Sequence, residues 1–302
     1  MPSDDDLLLP LRKGETYQDR ERIDAILQKY WGCHDRRAWI RTEDEVKKVY
    51  LTYGEVTSLG ARQVMELLEF RENINVKMSS SSSSNTSMAT TTTRKEDNNN
   101  NNNDDIAVEV DNHHQQQHPI IFYDLGSGAG KLVVQMVLEK AVTVSIGIEL
   151  SEARHELALE IWDTMQTKEK ENRFDGDDDD DDDDTAGLKT TTYFYSHQDK
   201  ETGAYITVPR IQFQNKNILD ADFSNATHIF FSSLCFPDDV IEQVGEIIRQ
   251  NRELYGKIQV VVALSNIRSL EGPENRVHWK KSFNTILMTW GYSTARIYKY
   301  IE

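Results

Sequence analysis

The stretch at residues 120–134, IIFYDLGSGAGKLVV, constrains the fold more than any other part of the chain. An apolar run ends at Asp124, glycines follow at positions 126, 128 and 130, and a second apolar run begins at Leu132. That order reads as a buried strand, a bare turn and the start of a helix. Parallel strands need a long crossover, usually a helix, so a strand that feeds a helix is the first half of such a unit. The rest of the sequence supplies the units for it. Strands are expected at 120–124, 142–149, 211–215, 228–232 and 258–264, with a last one at 293–301. Helices are expected at 131–140, 152–165, 238–251 and 281–288. Short apolar strands alternating with amphipathic helices predict an α/β fold, a mainly parallel sheet with helices on both faces.

Before this region the reading is helical. Residues 15–30 carry Ile23, Ile26 and Leu27 on one face. Thr42, Asp44 and Glu45 read as a helix start leading to Val46, Val49 and Tyr50. Thr57 or Ser58 is a candidate cap for a third helix through Val64, Leu67 and Leu68. Two stretches break the pattern. Residues 77–118 hold runs of serine, threonine, asparagine and glutamine, which bury no apolar surface and predict disorder. Residues 168–190 hold eight consecutive aspartates at 177–184, expected to be a solvated, disordered insert. The expected organisation is a helical region at 1–76, an insert at 77–118, and a domain at 119–302 that contains the acidic insert.

The net charge is −17, and the aspartate run supplies much of it. The only cysteines, Cys33 and Cys235, stand far apart and in no metal-ligand spacing, so a reducing compartment and no metal are expected. The opening MPSDDDLLLPLRK lacks the basic start and the apolar length of a signal peptide. No apolar run approaches the roughly 18 residues of a membrane span, so a soluble intracellular protein is expected.

The glycine spacing discriminates between ligands. Gly126-x-Gly128-x-Gly130 is not the dinucleotide pattern, which needs two residues before the third glycine. A phosphate-binding P-loop would need glycine at 125 and Ser or Thr at 132, where leucines stand. Glu149 closes the second strand, 19 residues after Gly130, where a carboxylate can accept both hydroxyls of a ribose. Asp124, Gly126, Ser127, Gly128, Gly130 and Glu149 are therefore the candidate cofactor residues. Loop and acid together resemble motif I of the class I S-adenosylmethionine-dependent methyltransferases, a Rossmann-like fold. In that class a residue just past the third strand often contacts adenine, and Asn217 is the candidate here.

Two further stretches narrow the resemblance. VYLTYGEVT at 49–57 and ATHIFFSSLCF at 226–236, with Asp124-Leu125-Gly126 between them, resemble the non-SET histone-lysine methyltransferase family, the disruptor-of-telomeric-silencing type. The resemblance implies S-adenosylmethionine as cofactor, histone H3 in nucleosomes as substrate and a nuclear location. It implies that Tyr53 touches the methionine part of the cofactor and that Glu55 holds the closing loop. It implies that Phe236 walls the lysine channel beside Ser232 and Ser233. The family usually has asparagine after the fourth strand and threonine directly after Tyr-Gly-Glu, where this chain has Ser232-Ser233 and Val56. The chain also lacks a lysine-rich tail, so the resemblance does not extend to direct DNA contact. Two readings stand beside the first: methylation of a non-histone protein, and a methyltransferase-fold binding module without turnover.

Overall fold

The computed structural model describes residues 9–12, 14–32, 56–70, 119–174, 194–198, 205–271 and 278–301. The expected helix after Thr42, both homopolymer and aspartate runs, and the Tyr53–Glu55 element lie outside the described residues.

The N-terminal segment gives α1 (Tyr17–Trp31) and α2 (Ser58–Leu67). Thr16 and Asp19 form a reciprocal capping box on α1. Thr57 caps α2, its hydroxyl accepting from Gly60 N. The α/β region follows as β1 (Ile121–Leu125), α3 (Lys131–Leu138), β2 (Val144–Glu149), α4 (Glu152–Phe174), β3 (Phe194–Gln198), β4 (Tyr205–Pro209), β5 (Ile211–Asn215), β6 (His228–Phe231), α5 (Asp238–Tyr255), β7 (Val260–Ala263), β8 (Trp279–Met288) and β9 (Gly291–Tyr300).

Seven strands form one sheet in the order β5-β2-β1-β6-β7-β9-β8. The first five run parallel. β9 and then β8 add to the edge antiparallel. The central strands are buried on both faces, which is why they read as apolar runs without alternation. One apolar core lies between the sheet and α1, α2, α3 and α4. The other lies on the α5 side. This is the expected α/β architecture, a mainly parallel sheet with helices on both faces. The chain leaves β1 toward β2 on one side and reaches β6 on the other, so the sheet has its switch point at the β1–β6 pair.

Three elements differ from the sequence reading. Residues 281–288 are strand, not helix. Ile286 and Met288 alternate inward, and pairing with β9 along the whole of β8 settles a stretch without a strong local preference as strand. Helix α4 runs on to Phe174, past Lys168, where an insert was expected to begin. A separate hairpin, β3 with β4, stands where no strand was expected, although Phe194, Tyr195, Tyr205, Ile206, Thr207 and Val208 are strand-favouring residues.

The N-terminal helices pack on the sheet as part of one compact unit. Trp31, at the end of α1, is buried and donates from Nε1 to the Ala129 carbonyl in the glycine turn at 2.9 Å. Glu139, just past α3, has a fully buried side chain. It meets Arg12 Nη2 at 2.6 Å and Arg62 Nε at 2.9 Å, and accepts from Gln135 Nε2 at 2.8 Å. Burial pushes its carboxyl up, against the pull of Arg62, Gln135 and Arg12. Glu15 is also buried enough to be pushed up, yet hydrogen bonds from Arg20 and Arg12 together hold it at about 2.

Helix α2 sits directly on β8. Thr57 N and Oγ1 both donate to the Leu287 carbonyl, at 3.2 and 2.9 Å. A methyl at Gly60 would stand 1.9 Å from that same oxygen. Alanine favours helix over glycine by roughly 0.5–1 kcal/mol, but Gly60→Ala must displace backbone. Its melting temperature should fall, by the equivalent of about 1–3 kcal/mol. Thermal unfolding followed by circular dichroism measures this, and a raised melting temperature contradicts the contact.

His228 opens β6, buried against the Phe70 ring, with Nδ1 2.9 Å from Thr227 Oγ1. Burial pushes its pKa from 6.5 down to about 3. An unfolded chain takes up this proton near 6.5 while the folded chain stays neutral. Stability is therefore full above about pH 7 and is lost as pH falls below it, by up to roughly 1.4 kcal/mol per unit. Urea midpoints should show that slope between pH 6.5 and about 5.5, above the ordinary range of glutamate. His228→Phe should flatten it.

Candidate active site

At the carboxyl ends of the parallel strands the chain encloses a cavity of about 510 Å³. The register of the sheet builds it. Asp124 and Leu125 pair with Gly147 and Ile148 on one side and with Phe230 and Phe231 on the other. The three chains leave the sheet at the same level. Gly126 N and Ser127 N both donate to the Ile148 carbonyl, at 2.9 and 3.0 Å, which folds the glycine turn across the end of β2.

The turn needs its glycines for two different reasons. Gly128 takes φ 55° and aims its N–H at Glu149. Gly130 takes φ 78° at the cap of α3, and a Cβ there would lie 2.3 Å from the Phe213 ring. Gly126 stands against the Phe236 ring, 3.3 Å from where its Cβ would be.

Glu149 is buried and held from two directions. Its Oε2 accepts from Gly128 N at 2.9 Å, and Oε1 accepts from Ser151 N at 2.8 Å. The backbone behind it is tied to β5, where Asn215 Nδ2 donates to the Glu149 and Leu150 carbonyls at 3.0 and 3.2 Å. A carboxylate oxygen that accepts one N–H keeps acceptor capacity, so Glu149 can still receive hydroxyls from the cavity.

Of the sequence-predicted residues, Asp124, Gly126, Ser127, Gly128, Glu149, Asn217, Ser232 and Phe236 all line this cavity. Asn217 also caps the short turn after β5, accepting from Leu219 N at 3.1 Å. Gly130 stands behind the lining as a packing residue. Ser233 is fully buried outside the lining, with Oγ accepting from Ser265 N at 2.6 Å. Tyr53 and Glu55 lie outside the described residues; Val56, the next in sequence, lines the cavity.

Several lining residues were not among the site residues expected from the sequence: Lys131, Leu150, Arg154, Cys235 and Trp290. Trp290 comes from the turn between β8 and β9, far along the chain from the glycine loop, and nothing local could have placed it there. Gly147 is a further determinant. A Cβ at this position would meet Ser127 Oγ at 2.7 Å. Glycine inside an apolar strand is the available signal for such a close approach.

Residues 101–174 match the family model described as histone methylation protein DOT1. That span covers the glycine turn, β2 and α4, and with them Glu149. A search of curated proteins finds no match. Among solved structures, M. capricolum TrmK in complex with S-adenosyl-homocysteine aligns at 10% identity with a TM-score of 0.36, over 61% of this chain and 63% of that one. A putative tRNA (m1A22) methyltransferase of Streptococcus pneumoniae aligns at 12% identity and 0.36, over 61% and 64%. The METTL16 methyltransferase domain aligns at 11% identity and 0.36, over 63% of each chain. The match thus spans less than two thirds of those chains, and at such scores it carries no weight for substrate or chemistry.

Glu149→Gln tests the clamp. One of the two N–H donors would then face an amide N–H₂, so one hydrogen bond is lost at a cost of about 1–3 kcal/mol. Amide exchange followed by NMR should quicken by roughly tenfold or more at Gly128 or Ser151, relative to Ile146 within β2. Unchanged protection at both amides would contradict the arrangement.

Proposed function

We propose that this chain is an S-adenosylmethionine-dependent protein-lysine methyltransferase acting on histone H3 in the nucleus. The observation that carries the reading is Glu149, a clamped carboxylate on the cavity wall beside a glycine turn at the switch point of the sheet. Such a group suits the two hydroxyls of a ribose. Leu150, 62% exposed, and Leu219 offer apolar surface to a planar base on the same side. Asn217 is the proposed polar contact for adenine. The bare turn at Gly126–Gly128 lets backbone approach the rest of the cofactor, with Asp124 beneath it. S-adenosylmethionine supplies, when bound, an electrophilic methyl group on a sulfonium.

The opposite side of the cavity suits the acceptor. Ser232 and Phe236 line it, with Phe230 behind them. Aromatic rings attract a cationic centre at their faces. An apolar wall also disfavours a charged ammonium, which lowers the cost of deprotonating a lysine. Ser232 is the polar group proposed to orient the amine, since the Ser233 hydroxyl is committed to Ser265 N. Tyr53 and Glu55 are proposed to close over the cofactor just ahead of Val56. The match to the histone methylation family model supports the choice of a histone target.

The test offers labelled S-adenosylmethionine to the full chain with nucleosomes and, separately, with a histone-free protein extract. Label should appear on histone H3 and be lost in Glu149→Ala. Label confined to the extract would replace histone H3 by a non-histone target. Absence of label in both, with the cofactor still bound in calorimetry, would favour a binding module without turnover.

A further inference from the structure

The hairpin of β8 and β9 outruns the sheet it belongs to. β9 pairs with β7 only from Arg296 to Lys299, while β8 and β9 pair with each other out to Met288 and Gly291. Residues 291–295 and their partners on β8 therefore project past the carboxyl ends of the parallel strands, on the side of the cavity. Directly opposed residues share a face, so the two faces of this ribbon can be told apart. One carries Ile286, Met288 and Ala295, all buried toward α2. The other carries Phe283, Thr285, Leu287, Tyr292 and Thr294.

That second face is open. Phe283 is 62% exposed and Tyr292 51%. Thr285 and Thr294 are also exposed, and Leu287 is half-buried. At the ribbon's tip Trp290, 50% exposed, lines the cavity itself. The open face thus begins at Tyr292, two residues along the chain from the cavity wall; the Trp290 indole itself donates to Ser293 Oγ at 3.2 Å, on the other face. The composition is as telling as the exposure. No Asp, Glu, Lys or Arg occurs between Lys281 and Arg296, in a chain whose charged fraction is 28%. The two flanking cations are engaged: Lys281 with Glu271 and Asn266, Arg296 with the Leu264 carbonyl.

We infer that the open face of the β8–β9 ribbon docks an extended polypeptide with apolar side chains, the segment that flanks the acceptor residue as it enters the cavity past Trp290. A single-stranded nucleic acid could stack on the same aromatics, but no lysine or arginine lies between Lys281 and Arg296 to meet its phosphates, and Lys281 already sits over the Phe283 ring at 4.9 Å; phosphate contacts dominate such binding. An apolar peptide finds flat aromatic area, the chemistry that dominates the centres of protein interfaces. The identity of that peptide as substrate rests on the proposed methyl-transfer function; the docking surface itself does not.

The experiment uses the full chain with S-adenosylhomocysteine present and reads fluorescence anisotropy of three labelled probes. These are a lysine-centred peptide with leucine and valine flanks, the same peptide with glutamate flanks, and a single-stranded oligouridine. The apolar-flanked peptide should bind best. The paired substitution Phe283→Ser with Tyr292→Ser, both at exposed positions, should weaken it by roughly tenfold or more. Calorimetric binding of S-adenosylhomocysteine should stay unchanged in the variant. No binding of the apolar peptide, equal binding by the variant, or preference for oligouridine would each overturn the inference. Light scattering that shows a wild-type dimer and a monomeric variant would overturn it too, by assigning the face to a second copy. Failure of the wild type to bind S-adenosylhomocysteine would instead sink the proposed function, while the anisotropy still reports on the surface.

Discussion

The structure hangs on the position of β1. It pairs in parallel on both sides, with β2 and with β6, and both pairings run to its last residue. Three chains therefore leave the sheet side by side and must diverge. The space between them becomes the cavity, and the turn after β1 has to cross it without side chains. Two N–H groups of that turn on the Ile148 carbonyl, and a third on the Glu149 carboxylate, fix its path. A one-residue change in the β1–β2 register would carry Glu149 to the opposite face of the sheet and leave the turn without its anchor.

The N-terminal helices bear on the same turn from outside. Trp31 reaches Ala129, and Arg12 and Arg62 converge on Glu139 at the far end of the helix that the turn begins. Buried ion pairs add little net stability, because desolvation offsets most of the attraction. Breaking one is costly, since it leaves a buried charge uncompensated. Through that one carboxylate the network joins the N-terminal segment, α2 and α3, and Val56, just ahead of α2, stands on the cavity wall.

The edge of the sheet completes the wall from the other end of the chain. α2 grips the end of β8 through Thr57 and the bare position Gly60. The hairpin beyond that grip carries Trp290 to the cavity. Residues near positions 56, 126, 149, 217, 236 and 290 thus share one concave surface although no two of these segments adjoin in sequence.

The sequence by itself determined what depends on neighbours along the chain. Strands β1, β2, β6 and β7 were legible because strands buried on both faces need largely apolar runs. The turn was legible because positive φ needs glycine, and Glu149 because it ends a strand at a set distance from that turn. What depends on pairing was not legible. Residues 281–288 carry no strong local preference and become strand through β9. The β3–β4 hairpin carries strand-favouring residues but falls outside the β–α alternation, and only its antiparallel pairing makes it a separate unit. The two serines after β6 look alike in sequence, yet the cavity takes Ser232 while Ser233 turns inward to Ser265 N. Trp290 enters the site by a long-range packing choice. Local sequence sets backbone preference and burial period, whereas only the assembled sheet decides which distant side chains face the same empty volume.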